Sequence, residues 1–212
     1  MAAIQLKEFL YEPSKVHDKK VVADYNDLIL SYEGDILAIE DEDELAAMEK
    51  KLLGFYMLEP DYMEPIIALL GIYEITNEQQ EYDELLEHAY KSALRHVTID
   101  KEGNWYDVIE WGWLENRSII RALQTGAIKL WRKGKTEEAK KVFQNLLKSN
   151  PGDNSGVRYY LLAIVEGMTT KEFDKKMGDS GFVPPEILKW FDKNVKKHKE
   201  FDELRKIWGE VL

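Results

Sequence analysis

Arginine and asparagine stand close together twice in this 212-residue chain: Asn116, Arg117 and Arg121 in one stretch, Asn154 and Arg158 in another. Guanidinium forks and side-chain amides donate paired hydrogen bonds, so these residue types suit a carboxylate or an acidic peptide if the fold brings them together. Gln124 adds a further amide between the two stretches, and Trp131 offers an aromatic wall. Other chemistry is harder to assemble. The histidines are His17, His88, His96 and His198. His88 and His96 fall on nearly the same face of a helix, but ~12 Å apart along it, too far for one metal ion. Glu84 and His88 make a closer pair without an apparent third ligand. No phosphate-cradling glycine loop, nucleophile elbow or HExxH motif occurs. With 40 acidic residues, the spacing of paired carboxylates carries no information. The residues therefore lead to the expectation of a non-enzymatic chain with no cofactor and no metal.

Composition narrows the class. Hydrophobic residues make up 44% of the chain, too many for a disordered one. No apolar run approaches the ~18–20 residues of a membrane span. The start, Met1-Ala2-Ala3-Ile4-Gln5-Leu6-Lys7-Glu8, lacks the basic-then-apolar order of a signal peptide. Cysteine is absent, which removes disulfides, thiolate clusters and thiol nucleophiles. A soluble, cytoplasmic protein with no membrane partner is expected. The net charge of −11 is unevenly placed. Residues 1–100 carry 23 acidic and 8 basic side chains, a net of −15, whereas residues 101–212 carry 17 and 21, a net of +4. That distribution disfavours nucleic acid on the first half and permits an anionic contact on the second. The run Glu40-Asp41-Glu42-Asp43-Glu44 suits the positive end of a helix dipole, with a metal or partner site as the other reading.

The elements that would position these residues are helices, and the expected fold class is all-α. Val21, Val22, Tyr25, Leu28, Ile29 and Tyr32 recur at helical spacing before Gly34. A helix from near Asp43 shows Leu45, Met48, Leu52 and Phe55 on one face and stops at Pro60. A third starts near Asp61 and buries Ile66, Leu69, Leu70 and Tyr73; its partner spans about 78–97. Asp100-Lys101-Glu102-Gly103-Asn104 reads as a turn. Helices over about 114–133, 136–149 and 154–167 follow, then a short one from Thr170, a loop through Gly178 and Gly181, and helices after Pro184-Pro185 and through 198–211. Only Leu28–Ile39 offers any argument for a β-hairpin.

One segment repeats a known spacing. Leu123, Gly126-Ala127 and Leu130 on one helix precede Ala139, Phe143 and Pro151 on the next, the order of small and large residues in a tetratricopeptide repeat. Gly126-Ala127 allows close helix approach, Gly134 makes the turn, Phe143 reaches toward the next pair and Pro151 closes the second helix. Ile66, Leu69-Leu70, Tyr73, Tyr82, Leu86 and Ala89 follow the same offsets more loosely. The expected organisation is an N-terminal arm over 1–20 and one domain over 21–212. Its repeat units are about 21–59, 61–97, 114–150 and a partial 154–180, with a cap at 184–212. Such pairs bury their apolar faces by stacking into a solenoid. The stretch Glu115-Asn116-Arg117, Arg121-Ala122-Leu123, Leu130-Trp131, Gly134, Glu137-Glu138-Ala139 and Phe143, ending Asn150-Pro151-Gly152-Asp153-Asn154-Ser155-Gly156-Val157-Arg158-Tyr159, resembles a module of uncharacterised tetratricopeptide-repeat proteins. It is also similar to part of the suppressor of tumorigenicity 7 family. The resemblance covers roughly residues 105–167 and implies an interaction scaffold.

In a repeat array the first helix of each pair lines a concave groove. Counting from Ile120 gives Arg121, Gln124, Ile128, Trp131 and Arg132; counting from Asn154 gives Ser155, Arg158, Leu162, Val165 and Glu166; the preceding turn adds Asn116 and Arg117. Asn116, Arg117, Arg121, Gln124, Trp131, Asn154 and Arg158 are thus the candidate peptide-binding residues, for an acidic segment or a C-terminal carboxylate. A structural role competes with this. Asn116, Arg117 and Arg158 also fit as partners of Glu110, Glu115 or Asp153, and Asp153 or Asn154 as a helix cap after the Gly152 turn. Trp105, Trp111 and Trp113 read either as a stacking platform or as core.

Two other readings stand beside the peptide-binding module. One is a helical subunit for self-association or docking. The other is a nucleic-acid adaptor through Lys189, Lys193, Lys196, Lys197 and Lys199, which the net charge opposes.

Overall fold

The computed structural model describes residues 7–32, 36, 39–105, 107–178 and 183–209. Most of them are helical, and the chain is all-α. Helix starts follow local chemistry. α1 (Pro13–Val16) opens on proline, and α2 (Lys19–Ser31) on Asp18, whose carboxylate accepts from the backbone N–H groups of Lys20 and Val21. α3 (Glu42–Leu58) opens on Asp41, which accepts from the Glu44 N–H at 2.8 Å, so the acidic run is a helix start. α4 (Met63–Ile75) ends at Asn77, which takes the left-handed conformation (φ 58°) that closes the cap between Glu78 N–H and Tyr73 carbonyl. α5 (Gln79–His96) returns beside it.

α6 (Leu114–Arg132) and α7 (Thr136–Ser149) are joined through Gly134, whose φ of 77° only glycine adopts without strain. Its N–H donates to the Trp131 carbonyl and that of Lys135 to the Leu130 carbonyl, so Gly134 makes the expected turn between the two helices. α8 (Val157–Val165), α9 (Thr170–Met177), α10 (Pro185–Asn194), two 3₁₀ turns (Val195–Lys197 and Lys199–Phe201) and α11 (Asp202–Gly209) complete the order. Among the described residues, no helix is long and apolar enough to cross a membrane.

Contacts divide the chain into two compact units. The first comprises Leu10–His96 and Trp113–Ala122; the second comprises Met1–Phe9, Val97–Gly112 and Leu123–Leu212. In the first, α4 packs on α3 and on α5. Its sequence, Met-Glu-Pro-Ile-Ile-Ala-Leu-Leu-Gly-Ile-Tyr-Glu-Ile, is apolar around almost its whole circumference, as a helix between two neighbours requires. Met63, Ile66, Leu69 and Ile72 are wholly buried there, as are Leu52 of α3 and Ala89 and Ala93 of α5. In the second unit, α7 packs on α8 and α8 on α10. Phe143 stacks on Tyr160 with ring centroids 5.6 Å apart, Tyr160 meets Phe173 at 4.9 Å and Phe173 meets Trp131 at 5.9 Å, a continuous aromatic filling.

Three features depart from the sequence reading. A parallel ladder joins β1 (Lys7–Phe9) to β2 (Asp107–Ile109), too short for any alternation to show. The first long helix starts at Lys19, inside the stretch expected as an arm. And α2 runs through Ser31, which takes the start of the hairpin alternative; residues 33–35 and 37–38 lie outside the described ones.

Candidate functional site

The seven nominated residues have distinct surroundings. In the first unit, Asn116 is fully buried, and its Oδ1 accepts a hydrogen bond from the Tyr11 backbone N–H at 2.8 Å. It thereby satisfies a donor that burial would otherwise leave unpaired. Arg117 is half-buried and Arg121 exposed on the same helix. In the second unit, Gln124 donates to the Ser155 carbonyl at 3.0 Å, tying α6 to the turn before α8. Trp131 is 5% exposed and belongs to the aromatic filling. Asn154 is exposed in its turn.

Arg158 folds back on the loop that precedes it. Its Nε donates to Asp153 Oδ2 at 2.6 Å and its Nη2 to the Gly152 carbonyl at 3.2 Å. The buried Asp153 carboxylate also accepts from the Val157 N–H at 2.7 Å and the Arg158 N–H at 3.0 Å, and so caps α8 from outside the helix. Asp153 supplies the cap; Asn154 does not. Burial raises the Asp153 carboxyl above the ordinary range, with Arg158 working the other way. Of the three clustered tryptophans, Trp105 is buried, Trp111 half-buried and Trp113 45% exposed, so they do not share one surface role.

The histidines serve as fasteners. His17 places Nε2 2.8 Å from the Tyr11 hydroxyl and Nδ1 3.1 Å from Glu59 Oε2, a carboxylate–imidazole–phenol chain. Glu59 Oε1 accepts from the Asp18 N–H at 3.0 Å, and the Tyr11 oxygen accepts from the Met63 N–H at 3.4 Å. Tyr11 is 1% exposed, and burial followed by nearby Glu64 pushes its phenol well above the usual range. The chain therefore clamps the segment before α2 onto the start of α4. His88 donates from Nε2 to the Pro60 carbonyl at 2.6 Å and sets its ring against the edge of Tyr56. Asp61 receives Ser92 Oγ at 2.8 Å and pairs with Arg95. Burial opposes charge on Asp61, but Ser92, Arg95 and His88 together hold its carboxyl below the ordinary range. Among the described residues, no group of three or more metal-ligating side chains converges.

The open space lies elsewhere. In the first unit, α3, α4 and α5 leave a cleft of about 220 Å³, lined by Leu53 and Tyr56, Leu69 and Tyr73, and Glu81, Glu84 and Leu85 respectively. Leu69, Tyr73 and Leu85 of this lining are buried, Leu53 and Tyr56 half-buried, and the two carboxylates exposed. Glu81 and Glu84, in the first half of α5, are exposed at this cleft, as carboxylates that would be costly to bury without partners. Glu49 of α3 stands nearby. Burial, then Glu78 and Glu81, raise its carboxyl above the ordinary range, while the Tyr73 hydroxyl works the other way. Burial and the same three glutamates push the Tyr73 phenol up to about 12, so it stays a proton donor.

This cleft was absent from the sequence reading, which gave α3 one apolar face of Leu45, Met48, Leu52 and Phe55. The available signal was the surplus: Leu53, Tyr56, Met57 and Leu58 extend beyond that face, more apolar surface than one neighbouring helix covers. No family model matches the chain, and no curated protein or solved structure matches it.

Proposed function

We propose that this chain is a non-enzymatic, cytoplasmic interaction module of the tetratricopeptide-like, α-solenoid kind, which holds a segment of a partner protein against its helices. Support for the repeat reading comes from helices that pack on their neighbours in sequence: α3 on α4, α4 on α5, α7 on α8. It also comes from the Gly134 turn and from Ala139 and Phe143, both fully buried where the spacing requires. The observation that carries the functional reading is the cleft among α3, α4 and α5. At about 220 Å³ it holds one or two side chains; sites for whole small molecules run to ~300–1,000 Å³. Among the nominated residues Arg121 and Asn154 are the exposed ones, whereas Asn116, Trp131 and Arg158 hold loop and core together. The cleft is therefore the better place for a partner.

Affinity capture with the wild type beside Leu53→Ser/Tyr56→Ala tests this. The reading expects a captured protein that the double variant loses while its circular dichroism is unchanged. Equal capture by both would refute it.

A second reading, docking or self-association through a helical surface, draws on Leu30, Met57 and Leu58, which are 82%, 79% and 68% exposed. Light scattering decides it: a mass that stays monomeric as concentration rises removes self-association.

A further inference from the structure

We infer that the occupant of the α3–α4–α5 cleft is a cationic amphipathic segment. It would lay an apolar side chain on Leu53, Leu69 and Leu85 and bring a lysine or arginine onto Glu81 and Glu84. The inference rests on the proposed interaction role and names the chemistry of its partner.

Three independent observations converge. The first is an unbalanced charge. Glu78 and Glu81 both act to raise the Glu49 carboxyl, yet among the described residues no lysine or arginine forms an ion pair with these three or with Glu84. Glu84 accepts only a neutral hydrogen bond, from Gln80 at 3.0 Å, and the lysine pair of α5 is formed further along by Glu87 and Lys91. Two other carboxylates of the same unit do have basic partners: Glu59 has His17, and Asp61 has Arg95 and His88. A cation arriving from a partner relieves this repulsion, and an anion adds to it.

The second is the wall. Tyr56 and Tyr73 line the same cleft as Glu81 and Glu84, and aromatic rings together with carboxylates suit an ammonium or guanidinium group. The third is continuity. Met57, one turn on from Leu53 in α3, is 79% exposed and adds apolar surface on the adjoining side of the helix, so a segment with an apolar stripe can bury more than the cleft itself. Residues 1–100, which supply every lining group, carry a net −15 and draw a basic segment from a distance.

The test uses the full chain and two synthetic helical peptides of about 16 residues with an identical leucine stripe, one bearing lysines on its polar face and the other glutamates. Binding is followed by fluorescence anisotropy at low and at high salt. The lysine peptide is expected to bind about tenfold or more tightly than the glutamate peptide, and to weaken as salt rises. Glu81→Gln/Glu84→Gln should cost the lysine peptide about tenfold. Asp24→Asn/Asp27→Asn, exposed on α2 and equal in net charge change, should leave its affinity within about twofold. Equal losses in the two charge variants would mean attraction by the whole surface and would overturn the inference. If both peptides bind alike and Leu53→Ser/Tyr56→Ala abolishes both, the cleft is a binding site but the charge inference is wrong. If neither peptide binds, the inference falls while the capture experiment still judges the interaction role separately.

Discussion

The two compact units solve the same packing problem with different side chains. In the second, the spaces between helices are filled by aromatic rings, Trp131 on Phe173, Phe173 on Tyr160 and Tyr160 on Phe143, and the loop before α8 is sealed by Asp153 and Arg158. In the first, the corresponding interhelical space beside α4 is bordered by Glu81 and Glu84, and it stays open. Rings and leucines draw helices together because removing their surface from water is favourable. Carboxylates without counterions hold helices apart because desolvating them is costly. A few side chains thus decide whether the space between neighbouring helices is filled, as in the second unit, or open, as in the first.

Truncating the filled region should give the largest effect. Phe143→Ala leaves a cavity in a fully buried aromatic stack and should cost about 3–5 kcal/mol in chemical denaturation. An effect below that of an ordinary surface substitution would show that the stack is not what closes the second unit.

Glu64 offers the next contrast. Its Oε2 is shut off from water and has no hydrogen-bond partner, and burial, with a smaller push from Glu115, raises its carboxyl from 4.5 to about 8. The folded state therefore keeps a proton that the unfolded state releases. The associated stability is fully present below pH 4.5 and is lost as pH rises toward about 8. Glu64→Gln should flatten that slope and make the protein more stable than the wild type at pH 8, on the order of 3 kcal/mol. Parallel pH–stability curves for the two proteins would refute this.

Asn116→Ala strands the buried Tyr11 N–H and should cost about 1–3 kcal/mol, measured by thermal unfolding. Unchanged peptide binding in that variant would separate the support of the fold from the cleft. Smallest of all is Leu53→Ala, at a half-open position, expected to cost under about 1 kcal/mol against the several for Phe143→Ala. A cost as large as that of Phe143→Ala would mean that the cleft is closed in solution.

Local chemistry was legible along the chain. The acidic run before α3 as a helix start, Gly134 as the turn between α6 and α7 and the buried set Ile66, Leu69, Leu70 and Tyr73 of α4 act within a turn or two of their own position, so residue order alone placed those helices and the all-α class. It did not place the start of α2 at Lys19. The partners across long separations were not legible. Asn116 with Tyr11, 105 residues apart, and His17 with Glu59, 42 apart, depend on where whole helices come to rest. The same holds for the cleft. Leu69 and Tyr73 read correctly as inward-facing, but whether the space beside them is filled depends on residues of two other helices. Periodicity determines which face turns inward; only the packed structure decides what meets it there, because fit and charge balance are properties of three helices at once.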